Sequence, residues 1–271
     1  MALLDTNPPV LDAEAPSQFK VLTVVSMLLL SLSIAWAFVD PRLIDGVPVW
    51  MKPLKFSLSF VALFGTLALI EPLLSDRARR GVTLKLTGWA MAAAYLLEMA
   101  YMFYMAARAE ASHFNLSTPW HQTMYTLMGA GAVTLIAGVA VFGWVVRQDE
   151  RAAMGPALRE GIWLGFLATF LLTFVVAGYL SSSGGHFVGL HPEGAPTLPL
   201  FGWSGVTGDL RPAHFASIHA MQALPLLGLW LDRRGGAGSV RTVRIAALGY
   251  GGLTLALFGQ ALLGLPLILL G

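Results

Sequence analysis

Apolar residues fall in seven long runs, at roughly 21–39, 53–74, 86–106, 123–146, 161–181, 213–231 and 244–270, separated by polar joints. A helix needs about 20 mostly apolar residues to cross a hydrocarbon layer of ~30 Å, and each run has that length. The joints carry Pro, Gly, Arg and Asp, which sit at membrane depth only when backbone and charge are satisfied within the protein. No series of ten-residue alternations marks a transmembrane β-barrel. The pattern predicts an all-α polytopic bundle of seven transmembrane helices. Residues 1–20 read as a cytoplasmic tail, 21–271 as a single bundle, and 182–212 as a long extracytoplasmic loop within it. The last run admits a second reading, a kinked hairpin broken at Gly264 and Pro266.

Composition narrows the class further. Of 271 residues 56% are hydrophobic and 12% charged. A soluble domain is about a quarter charged, so a lipid bilayer is the expected partner. The absence of cysteine excludes disulfide scaffolds and thiolate metal or redox sites. A net charge of +2 with scattered basic residues gives no nucleic-acid footprint. The first twenty residues hold Asp5, Asp12 and Glu14 against one Lys20, unlike the basic start of a signal peptide. Twelve of the seventeen Lys and Arg fall at the N-terminus and in the joints after the second, fourth and sixth runs. That bias predicts an N-terminus inside and a C-terminus outside.

With that orientation all six histidines, His113, His121, His186, His191, His214 and His219, lie toward the outer face. A lone histidine at an interface is most often structural, but six at one end and none at the other point to an outward-facing site. The joint from Ser181 to Pro212 is long and carries its own Gly and Pro punctuation, as binding elements do. Glu98 lies ten residues before Arg108, so about 15 Å inward along a helix, near mid-bilayer. Two readings stay open for it: a functional carboxyl, or a protonated one bonded to a neighbouring helix. Tyr95, Tyr101, Met102 and Met105 share its face. Glu71 and Glu160 read as solvated. Asp209 is placed to cap the helix that begins at Pro212.

His214 and His219 are five apart and diverge by roughly 140° on a regular helix, so they do not form an i, i+4 metal pair. No His-Glu-x-x-His run is present. Lys52 and Lys55 share one helix face, where they either snorkel or, with Arg211, hold an anionic headgroup, a carboxylate or a quinone oxygen.

Ser112-His113-Phe114-Asn115, Gly208-Asp209-Leu210-Arg211 with His214, His219 and Gln222, the Lys52-Pro53-Leu54-Lys55-Phe56 start and Glu98 together resemble a family of uncharacterised bacterial multi-pass membrane proteins. The resemblance spans most of the chain and implies a location, the bacterial cytoplasmic membrane, but no mechanism. Rhodopsins share the helix count, yet the last run has no Schiff-base lysine. Ceramidase-like hydrolases use a His-x-x-x-His spacing that is missing here.

The first functional expectation is a membrane oxidoreductase or electron-transfer protein holding haem b or a transition metal (copper, iron or zinc) near the outer surface. His113, His121, His214 and His219 are its expected metal ligands, imidazole being a common ligand for all of these. Gln222 and Asn115 are expected beside the cofactor. Glu98, Arg211, Lys52 and Lys55 are expected in the chemistry, acting on a quinone or another lipophilic substrate. The second expectation is a proton-coupled small-solute transporter or channel with Glu98 and the glycines from Gly129 to Gly138 along its path. The third is a non-catalytic subunit or sensor of a membrane complex. A lipid hydrolase with a histidine-bound zinc is a further enzymatic form.

Overall fold

The computed structural model describes residues 17–235 and 238–270. Most of the proposed cytoplasmic tail, residues 1–16, lies outside them. The described residues form eight α-helices: α1 (Gln18–Trp36), α2 (Met51–Ile70), a short α3 (Asp76–Arg79), α4 (Val82–Ala107), α5 (Pro119–Gln148), α6 (Pro156–Ser182), α7 (Arg211–Arg234) and α8 (Ser239–Leu262). Two two-residue antiparallel ladders decorate the loops. One pairs β1 (Leu43–Ile44) with β2 (Val47–Pro48), the other β3 (Phe187–Val188) with β4 (Gly208–Asp209). Six helices, α1, α2 with its 3-10 extension to Leu73, α4, α5, α6 and α8, are long and apolar enough to cross a membrane. The chain is therefore a multi-pass helical protein suited to a lipid bilayer. α7 has 24 residues but is not among those six.

Starts and stops follow local chemistry. Ser17, Ser75 and Thr118 cap α1, α3 and α5 with their side-chain oxygens, and Pro119 and Pro156 open α5 and α6 where no N–H is needed. Gly235 ends α7 in the left-handed conformation. α8 stops at Leu262, well short of the predicted 270. Residues 263–270 fold back instead, with Gly264 at φ +75°, Gln260 donating to the Pro266 carbonyl, and the Leu270 N–H donating to Gly205 of the long loop. The broken-hairpin reading is thus met as a helix followed by a strap.

In lipid, helices gain little from burying apolar surface against each other, so close backbone approach decides their pairing. α6 and α7 show this most clearly. A Cβ on Gly161 would stand 2.5 Å from the Leu224 carbonyl, and one on Gly165 2.7 Å from that of Ala220. Thr169 accepts from the Met221 N–H, and Thr173 donates to Ser217 across the same seam. α8 covers this pair from outside, with Tyr250 donating to the Ala216 carbonyl. The half of the bundle nearer the α2–α3 turn is filled by Phe19, Phe64, Leu67, Met91, Tyr95, Val139, Phe142 and Phe166. Phe60 and Phe64 meet the Tyr95 ring edge-on, and the Tyr95 hydroxyl pairs with Ser26.

At this end acids serve as caps. Asp149 accepts from the Ser75 N–H and hydroxyl; Asp232 accepts from the Ala157 and Leu158 N–H groups that open α6. Glu71 and Glu160, expected to be solvated, are not. Glu71 is buried against the Ser17 hydroxyl, and Glu160 is held by Arg244 at 2.7 Å and Arg147 at 3.5 Å. Local sequence hid this because both partners lie far away in the chain.

Candidate functional site

The other end collects the histidines. His113 follows α4, His121 lies in the first turn of α5, His186 and His191 follow α6, and His214 and His219 occupy the first turns of α7. The N-terminus of α2, with Lys52 and Lys55, belongs to the same end.

The loop between α6 and α7 is ordered by one buried acid. Asp209 does not cap α7 from the N-cap position, which Leu210 takes. It accepts instead from the Ser204 N–H, the Arg211 N–H and the Arg211 guanidinium, at 2.6–3.2 Å. Arg211 Nη2 also donates to the Gly202 carbonyl, and its guanidinium lies over Phe187. Phe187 stacks on His191, whose Nδ1 is 3.0 Å from Ser204 Oγ. Arg211, read from sequence as a ligand-orienting cation, is therefore the clasp of this loop. Asn115 is likewise used locally: it bonds Ala111 and Ser117 and shapes the turn before α5.

Lys52 differs from the other cations at this end. Arg42 pairs with Asp40, Arg108 with Glu110 and Arg211 with Asp209. The Asp40 carboxyl is held well below the usual carboxylate range by hydrogen bonds from Arg42 and then Trp36. Lys55 reaches the Phe201 carbonyl at 3.3 Å. Among the described residues Lys52 has no acid and no hydrogen-bond acceptor; the Phe56 ring lies 6.0 Å from it to the centroid.

Around Lys52 stand imidazoles that resist protonation. His113 is lowered to about 3, first by burial and then by the Lys52 charge and His186. His186 is lowered to about 4, first by burial, then by Arg211, Lys52 and His214, with Asp209 opposing. Those couplings place Lys52, His113, His186, His214 and Arg211 in one neighbourhood. Phe56 joins it to the layer below, lying 5.6 Å from His113 and packing on Tyr101, Met102, Met105, Met124 and Met128.

One turn deeper is Glu98, 4% exposed. No donor bonds its carboxyl among the described residues, and a Cβ on the facing Gly131 would lie 3.3 Å from Oε1. Four more polar atoms are buried without a partner: the Tyr101 hydroxyl, Ser57 Oγ, His186 Nδ1 and His214 Nδ1. Buried polar groups are nearly always paired, because leaving one unpaired costs on the order of 1–3 kcal/mol. All four lie in this same half of the bundle.

The expected metal set is not assembled. No three His, Asp or Glu side chains converge to hold an ion among the described residues. His121 sits apart, between Ser117, Thr118 and Glu110. His219 gives its Nδ1 to Gln222, which bonds Thr66 of α2, so this pair ties α7 to α2. The rings of His113, His186 and His219 lie against Phe56, Phe114 and Phe215 at 5.6, 5.4 and 4.3 Å. Sequence reasoning missed Ser57 and gave His186 no role. A serine in an apolar run carries no signal of its own, whereas His186 was visible as one of six. Compared with protein families, curated proteins and solved structures, the chain matches none.

Proposed function

We propose that the chain is a seven-span protein of the bacterial cytoplasmic membrane, with α7 as the seventh span and the N-terminus inside. Its outer half binds a lipophilic molecule with an anionic or carbonyl-oxygen head, of quinone or carboxylate type, and Glu98 exchanges a proton beside it. The positive-inside charge bias and the resemblance of its motifs to uncharacterised bacterial membrane proteins support the setting. Lys52 carries the ligand reading: a half-buried ammonium without a counter-ion among the described residues is costly unless something anionic visits it. The neutral imidazoles of His113 and His186 can each donate one further hydrogen bond to such a head without adding charge. The methionine layer between Lys52 and Glu98 supplies an adaptable apolar wall for the ligand's body.

The test is quenching of tryptophan fluorescence in the purified protein by decylubiquinone and by decanoate. At least one probe binds saturably, and Lys52→Met weakens it about tenfold or more, the scale of one lost charged contact. Absence of saturable binding by either probe, or equal binding by the variant, overturns the reading.

The unbonded Glu98 carboxyl also favours a second reading, a proton-coupled carrier using the same site. Proteoliposomes loaded with a pH dye distinguish the two. Decanoate-driven proton flux that Glu98→Gln abolishes supports the carrier, and binding without flux supports the membrane-bound binding protein or enzyme.

A further inference from the structure

The half of the molecule opposite the histidines holds a cavity of about 550 Å³ between α5, α6 and the start of α8. Arg147 and Gln148 line it from α5, and Arg159, Glu160 and Trp163 from α6. The charges are arranged, not scattered. The Arg147 guanidinium lies over the Trp163 ring at 5.4 Å. Arg159 donates through Nη2 to the Arg147 carbonyl, and among the described residues the rest of its fork has no hydrogen-bond partner. Glu160 is neutralised by Arg244 and touches Arg147 more loosely. The lining holds two arginines, Arg147 and Arg159, and one acid, Glu160, so the cavity is net positive.

Its position selects the anion. Trp144 packs edge-on against Trp163 and is half exposed, so the mouth lies at an aromatic belt where headgroups sit. Arg147 is the last-turn base of a long apolar helix, and Pro156 opens the next, so the cavity faces the interface at the level of lipid phosphates. A guanidinium fork matches a phosphate in plane and charge. Basic pockets between membrane helices take anionic lipid headgroups for this reason. A free phosphate has the same charge but would fill little of that volume.

We infer that this cavity binds the phosphate of an anionic glycerophospholipid, with Arg147 and Arg159 as its ligands and Trp163 against the glycerol. The site is independent of the proposed outer site and of the direction in which the chain is inserted.

The experiment is native mass spectrometry of the detergent-purified protein, delipidated and then given phosphatidylglycerol or phosphatidylcholine. Phosphatidylglycerol is retained and phosphatidylcholine is not. Arg147→Gln with Arg159→Gln lowers retention about fivefold for each arginine, roughly 1 kcal/mol apiece near a membrane surface. Arg77→Gln with Lys85→Gln removes the same charge at the same end and leaves retention unchanged. If the first double variant fails to fold, Arg159→Gln alone carries the test, because its side chain bonds only a carbonyl. Equal retention of both lipids, or equal loss in both double variants, overturns the inference. So does millimolar inorganic phosphate shifting thermal stability when phosphatidylglycerol does not bind, an outcome that marks a free-ion site.

Discussion

The two halves of this bundle treat buried polar groups in opposite ways. Toward the α2–α3 turn the buried and half-buried acids have work: Asp149 closes the α3 start, Asp232 closes the α6 start and Glu71 takes the Ser17 hydroxyl. Toward the histidines the loop clasp of Asp209 and Arg211 is equally complete, yet just inside it the Lys52 ammonium, the Glu98 carboxyl, the Tyr101 and Ser57 hydroxyls and the Nδ1 atoms of His186 and His214 have no hydrogen-bond partner among the described residues. Both halves share one solvent and one set of helices, so environment does not explain the difference. Stability is served by pairing polar groups, and function is served by leaving some of them unpaired.

Substitutions separate the halves by sign. The largest loss is expected for Gly228→Ala, whose new Cβ would collide with the Ala157 carbonyl at the α6–α7 seam. Overpacking against backbone costs about 3 kcal/mol, read as lost folded yield and a lower unfolding temperature in detergent. Asp232→Ala follows at about 2 kcal/mol, because two N–H groups at the α6 start lose a charged acceptor. An unchanged unfolding temperature in that variant would break the claim that this end is structural.

The next effect depends on pH. His113 and His186 have proton affinities in the fold below that of a free imidazole, about 6.5, so the unfolded chain binds more protons below that pH. Their stabilising share is complete above pH 6.5 and is lost as pH falls toward 4. The unfolding temperature is expected to fall progressively over that interval. His113→Gln with His186→Gln should flatten the drop. A curve that stays steep in that variant assigns the effect to other groups.

The smallest effects run the other way. Tyr101→Phe and Ser57→Ala each remove a buried, unbonded oxygen and should leave stability unchanged or raise it by up to about 1 kcal/mol. A loss of similar size in both would mean that these oxygens have partners after all, and the contrast between the halves would vanish.

Much of the architecture was legible in the chain. The first six apolar runs coincide with long helices, and α5 and α7 extend beyond the predicted limits because Thr118 with Pro119 and Pro212 carry the start signals. Glu98 was legible as an unusual acid, and the gathering of histidines at one end followed from the order of the runs. The local reading failed where a partner comes from far along the sequence. Glu71 found Ser17, fifty-four positions away, and Asp232 found the α6 start, about seventy-five away. It failed also for Arg211, whose acid sits two residues before it but whose geometry depends on Ser204 and Gly202 across the loop.

What the sequence determined alone is the solvent of this protein, its helices and the end at which its imidazoles and its arginines accumulate. Those properties are sums along a chain, and hydropathy and spacing report them directly. Which polar atoms are paired and which are left over was decided only in three dimensions. Satisfaction belongs to pairs of groups on different helices, set by approaches as close as Gly161 to Leu224 and Gly131 to Glu98, and no single segment carries that information.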